Sequence, residues 1–164
     1  MKFLFKLIVC LGLLSSNLIA QEKGLPEFLN LMGRIEGLGS YTTVSKSGYL
    51  GKYQFHPKTI RSYGFRVSRS EFLSNPELQD SIMVTSMRTN AQELAWLIRR
   101  KAGTYHQGIF ISKAGILAGA HLMGTGGVLA FFYPIKYSYR TVDGNGVPIG
   151  RYIKKFAHYH LREL

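Results

Sequence analysis

Residues Ile35–Thr59 read IEGLGSYTTVSKSGYLGKYQFHPKT, and the division of this stretch into a helix end and a turn-rich segment governs the fold that the sequence predicts. Upstream of it, Leu25, Phe28, Leu29 and Met32 recur at steps of three or four residues, and Glu36 continues the same stripe. A carboxylate thus stands where another apolar side chain is expected, on the core side of a helix. Gly37 and Gly39 suit a helix stop, which puts Glu36 in the last turn. Partial burial and the negative end of the helix dipole both disfavour a charge there, which suits a carboxyl group that must arrive carrying its proton. Beyond it, Tyr41, Thr42, Thr43 and Val44 favour a strand, Ser45–Gly48 a turn, and Tyr49–Phe55 a second strand interrupted by Gly51. A glycine inside a strand marks a bulge or a close approach of backbone to a ligand. The expectation is a helix ending in an acid, followed by a β-hairpin.

The rest of the chain reads as mostly helical. Pro57–Tyr63 makes a short helix ended by Gly64, and Ser68 with Glu71 forms a capping box. Asn75 caps a helix led by Pro76, whose stripe of Val84, Met87, Ala91, Leu94, Ala95 and Ile98 predicts a long central helix running to Gly103. Trp96 lies at the edge of that stripe and is expected to fill the core. Ser112 caps a helix of small and apolar residues that ends in Gly124, Gly126 and Gly127, a composition that allows close packing. Tyr133–Pro148 is irregular, with a plain turn at Asp143-Gly144-Asn145-Gly146, and Ile149–Arg162 closes the chain as a helix.

Three stretches, in order, resemble the lysozyme-like lytic transglycosylases, whose relatives include the goose-type lysozymes. The first runs through Glu36, Ser45, Gly48, Tyr49, Leu50, Gly51, Tyr53, Gln54, Pro57 and Thr59, with Gly37 where the family carries serine. The second reads Ala120-His121-Leu122-Met123-Gly124-Thr125-Gly126, keeping two glycines of the family motif and replacing its tyrosine and asparagine by His121 and Leu122. The third is Arg151-Tyr152-Ile153, where the family brings a tyrosine of the last helix up to the catalytic glutamate. The resemblance implies an α+β, predominantly helical lysozyme-like domain whose cleft is lined by a small β-hairpin region. It also implies a catalytic Glu36, with Ser45, Gly48, Leu50, Tyr53, Gln54, His121 and Tyr152 contributing to substrate binding.

Composition sets the remaining bounds. Residues 1–20 have the form of a secretory signal: Lys2 and Lys6, an apolar run from Leu7 to Leu14, and a small residue at Ala20. The only cysteine, Cys10, would leave with it, so the expected product, residues 21–164, is one exported domain without thiol chemistry. It would be periplasmic or secreted, with no stable membrane insertion once the signal is cleaved. A formal net charge of +12 favours polyanions, and for an exported protein an acidic wall polymer is more accessible than nucleic acid. His56, His106, His121, His158 and His160 lack metal-ligand spacing, so neither a metal nor another cofactor is expected.

The acids argue about mechanism. Besides Glu36 there are Glu22, Glu27, Glu71, Glu77, Asp80, Glu93, Asp143 and Glu163, and none lies in the segment after Glu36 or in the His121 motif. Two-carboxylate glycosidases need a second acid across the bond. A lytic transglycosylase, in which the substrate's own C6 hydroxyl attacks, does not. The expected function is therefore cleavage of peptidoglycan between N-acetylmuramic acid and N-acetylglucosamine by one glutamate. The alternatives are a lysozyme-type hydrolase using Asp143, or a wall-binding protein with weak turnover, motivated by Gly37 and Leu122.

Overall fold

The computed structural model describes residues 23–164; the expected signal, residues 1–20, lies outside them. Seven helices carry the described fold: α1 (Leu25–Gly37), α2 (Pro57–Ser62), α3 (Arg69–Ser74), α4 (Pro76–Glu93), α5 (Ala95–Lys101), α6 (Lys113–Phe132) and α7 (Ile149–Lys155). Two short strands, β1 (Tyr105–His106) and β2 (Ile109–Phe110), pair antiparallel between α5 and α6.

The expected hairpin over Ser40–Phe55 is not formed, and with it goes the α+β, hairpin-lined, lysozyme-like cleft. This is a helical bundle with one minimal two-stranded sheet elsewhere. The segment instead folds as successive turns joined by isolated bridges, Val44 to Leu50 and Leu50 to Phe55. The reason is local. Leu50 and Phe55 exchange both backbone hydrogen bonds at 2.9 Å, which closes a tight loop around Gly51 and Gln54, both at positive φ. A chain that doubles back within five residues has no length left for a ladder.

Several helix signals act as read. The Asn75 side chain accepts from Leu78 N–H at 2.9 Å, Ser112 from Gly115 N–H at 3.0 Å, and Ser68 with Glu71 completes its box. The long central helix differs. It ends at Glu93, the chain breaks at Leu94, and α5 follows as a separate helix. Its buried face is Gln79, Ile82, Met83, Ser86, Met87 and Asn90, three of them polar. Of the expected stripe, Met87 and Leu94 are buried and Ala91 and Ile98 pack at the core's edge, so the apolar pattern found only part of the buried face. Trp96 is not in the core: it is 41 % exposed and stacks on Tyr133. The last helix stops at Lys155 rather than Arg162, and the chain then pairs His160 N–H with Lys23 O at 2.8 Å.

The longest helix is α6, which passes Gly124 with a kink (φ 70°, ψ 172°) and continues to Phe132. Its first half is buried on nearly every side. One apolar cluster, with Phe28, Met32, Tyr53, Ile82, Met83 and Phe156, meets Ala114, Leu117 and Ala118. A second, with Leu94, Leu97, Val128 and Ile153, meets Ile116 and Ala120. Gly115 and Gly119 let α7 lie directly against it: a Cβ on Gly115 would stand 2.6 Å from the Ile153 carbonyl oxygen. This close crossing is what brings the α7 tyrosine towards the end of α1.

Candidate active site

Glu36 sits in the last turn of α1, which ends at Gly37 with Leu38 in the left-handed conformation. Glu36 as a residue is half-buried. From α7, the Tyr152 hydroxyl donates a hydrogen bond to Glu36 Oε1 at 2.5 Å. Burial, and after it the charge of Glu36 and this hydrogen bond, push the Tyr152 phenol well above its ordinary range. Tyr152 therefore stays protonated and serves as a fixed donor.

His121, from α6, borders the same region. Its Nε2 lies 3.0 Å from the carbonyl oxygen of Tyr53, and since a carbonyl only accepts, Nε2 carries the proton and Nδ1 is left as an acceptor. Burial pushes the imidazole below its ordinary value, an effect that the negative Glu36 and the Tyr53 carbonyl only partly oppose. The ring is neutral and meets the edge of Phe55 at 5.2 Å between centroids. It joins the loop to α6.

The Ser40–Phe55 loop is drawn tightly against the end of α1. A Cβ added to Gly37 would come within 2.5 Å of the Lys52 carbonyl oxygen and 2.6 Å of that of Gly51. A serine at this position would collide with backbone, which explains the glycine. A hydroxyl still reaches the helix end, because Thr43 Oγ1 donates to Gly37 O at 3.1 Å.

What holds the loop comes from α4. Gln79 is fully buried; its Nε2 donates to the carbonyls of Tyr41 at 2.8 Å and Phe72 at 2.7 Å, and its Oε1 accepts from Lys52 N–H at 3.0 Å. Beside it, Asp80 accepts from the Tyr53 hydroxyl at 2.6 Å, from the Tyr41 hydroxyl at 3.0 Å, and from Lys52 Nζ at 3.3 Å. Burial, followed by Asp80, pushes the Tyr53 phenol far up. Lys52 thus directs its charge to Asp80, not to Glu36.

The positions singled out from sequence therefore divide. Tyr152 and Glu36 are in direct contact, and His121 is close enough to feel the Glu36 charge. Ser45 and Gly48 shape a turn: Ser45 Oγ accepts from Tyr49 N–H at 3.0 Å, and Gly48 N–H donates to Ser45 O at 2.9 Å. Gln54 Nε2 donates to Gly51 O at 2.8 Å, so its amide secures the loop. Leu50 and Tyr53 are 2 % and 0 % exposed and offer no side-chain surface to a ligand. Asp143 is tied into its own turn, its Oδ1 accepting from Asn145 and Val147 N–H at 2.9 and 2.7 Å.

Gln79, Asp80 and Lys52 were missed. One signal existed, a glutamine lying on the helical face that also holds Ile82, Met83 and Ser86, where a polar group must find partners. Among the described residues no group of acids, histidines or cysteines could hold a metal ion. No family model, no curated protein and no solved structure matches the chain.

Proposed function

We propose that the protein is an exported peptidoglycan lytic transglycosylase in which Glu36 is the one catalytic carboxyl group. The observation that carries the reading is the Tyr152–Glu36 hydrogen bond. It joins the only acid of the first sequence motif to the tyrosine of the third across 116 positions, a contact that the family resemblance implies. In the reaction, protonated Glu36 gives its proton to the glycosidic oxygen as the C1–O bond breaks. The resulting carboxylate then takes the proton of the C6 hydroxyl as O6 bonds to C1, leaving an anhydro end. Tyr152 holds Oε1 in place through both steps.

The single-acid route is favoured over hydrolysis by what the other carboxylates do. Asp80 is engaged by two tyrosines and a lysine, and Asp143 is anchored through Oδ1 in its own turn. The charge of Asp143 reaches Tyr152, which makes it the acid that a hydrolase would use. Ser45, Gly48 and Gln54 act on glycan through the loop backbone they shape, with His121 at its edge.

The test is mass spectrometry of fragments released from purified peptidoglycan by wild type and by Glu36→Gln. Anhydro-ended fragments, reduced about a hundredfold or more in the variant, are expected. Reducing ends would replace this reading by a hydrolase. Unchanged release in Glu36→Gln would remove Glu36 from the chemistry, and glycan binding without release by either protein would make the chain a wall-binding protein.

A further inference from the structure

Residues 94–142 contain six basic side chains, Arg99, Arg100, Lys101, Lys113, Lys136 and Arg140, and no aspartate or glutamate. Part of this acid-free stretch gathers into one surface. Trp96, at the start of α5, stacks on Tyr133 with ring centroids 6.0 Å apart and planes 23° from parallel. Lys101 Nζ stands 5.3 Å from the centre of the same Tyr133 ring. The chain then turns sharply, Lys136 and Tyr137 N–H both donating to Tyr133 O at 3.0 Å, and Ile135 at the tip is wholly exposed, at 104 %. Lys136 Nζ lies 5.4 Å from the centre of the Tyr137 ring. Tyr139 is 65 % exposed and rests on Gly126, where an added Cβ would stand 2.8 Å from its ring.

A single exposed apolar side chain is ordinary. The combination is not: an apolar tip, amphipathic rings at its base, a lysine against each of two of those rings, and no acid in the stretch of chain that forms it. Each part matches one layer of an anionic bilayer. Isoleucine enters the acyl boundary, tryptophan and tyrosine suit the headgroup level, and lysine and arginine meet lipid phosphates. A soluble acidic polymer would engage the cations and leave Ile135 in water. An uncharged glycan would engage the rings and leave the cations without purpose.

We propose that the surface formed by Trp96, Lys101, Tyr133, Ile135 and Lys136 docks the protein peripherally on an anionic lipid membrane. The docking loop leans through Tyr139 on α6 just past its kink, five residues beyond His121. Docking would therefore orient the region around Glu36 relative to the membrane. This inference does not depend on the reaction proposed above.

The test is co-sedimentation of the full chain with phosphatidylcholine vesicles and with vesicles containing about a third phosphatidylglycerol. Wild type should prefer the anionic vesicles, and the preference should fall with added salt. Ile135→Asp, and separately Lys101→Glu with Lys136→Glu, should each weaken that binding about tenfold or more. Lys58→Glu with Arg61→Glu, the same charge change on α2, should leave most of it. Residues 1–20 are common to every protein compared, so the differences read the surface alone. The proposal is overturned if the surface variants bind as wild type does, if the α2 variant loses as much, if wild type ignores lipid charge, or if a soluble acidic glycan is bound through these residues and vesicles are not.

Discussion

Two irregular segments flank the candidate site, and they are held in opposite ways. Ser40–Phe55 is fastened by a buried glutamine and a carboxylate from α4, and Leu50, Gly51, Tyr53 and Phe55 in its closing third are buried. Tyr133–Pro148 is hydrogen-bonded mainly through its own turns, at Tyr133 and at Asp143, and touches the helices through the rings of Tyr133 and Tyr139, with Ile135 and Val142 left in solvent. The first behaves as part of the core although it contains almost no regular structure. The second is surface. Irregular chain is thus no guide to rigidity; what matters is whether its polar groups find buried partners.

Substitutions should separate the two segments sharply. The largest effect is expected at Gly51, which sits at φ 70° and faces Gln79, with an added Cβ falling 2.0 Å from Oε1. Gly51→Ala combines left-handed strain with displacement of the amide and should cost about 3 kcal/mol or more, read from the urea midpoint. Gln79→Leu should cost a similar amount, about 3 kcal/mol, because it leaves Lys52 N–H and two carbonyls without partners. If either variant is as stable as wild type, α4 does not hold the loop.

An intermediate effect is expected from pH. His121 titrates near 6.5 in the unfolded chain and lower in the fold, where burial opposes its charge. Between the two values the unfolded chain binds the extra proton, so the His121 contribution to stability is complete above pH about 6.5 and is lost as pH falls towards the folded value. Thermal midpoints from pH 7.5 down to 5 should decline, and His121→Gln should flatten the decline. An equal slope in the variant would assign it to other groups. The smallest effect is expected at Ile135: Ile135→Asp should change stability by no more than about 0.5 kcal/mol, since the side chain packs on nothing. A larger loss would mean that the Tyr133 loop belongs to the core as well.

Much of the helical skeleton was legible. Caps such as Asn75, Ser112 and the Ser68–Glu71 pair are local hydrogen bonds, decided within four residues, and the glycine-rich start of α6 announces a close crossing. The pairing of Glu36 with Tyr152 was an implication of the family resemblance and not of periodicity or spacing; the structure places the two side chains in contact. The β-hairpin was misread because strand propensity is a weak preference that a short turn can override. The break at Leu94 was missed because an apolar stripe drawn through the 84–98 region ignored the polar side chains that α4 buries.

The sequence by itself determined where most helices begin, the acid at the end of α1, and a 49-residue stretch, 94–142, free of acids. Tertiary structure alone decided that the segment after Glu36 is fastened by Gln79 and Asp80 instead of pairing with itself, that Tyr53 is sealed inside, and that Trp96 and Ile135 face solvent. The physical reason is range. A cap or a helical stripe is written in neighbouring residues, whereas Gln79 meets Tyr41 and Lys52 across 38 and 27 positions, and only the packed helices bring them within hydrogen-bond distance.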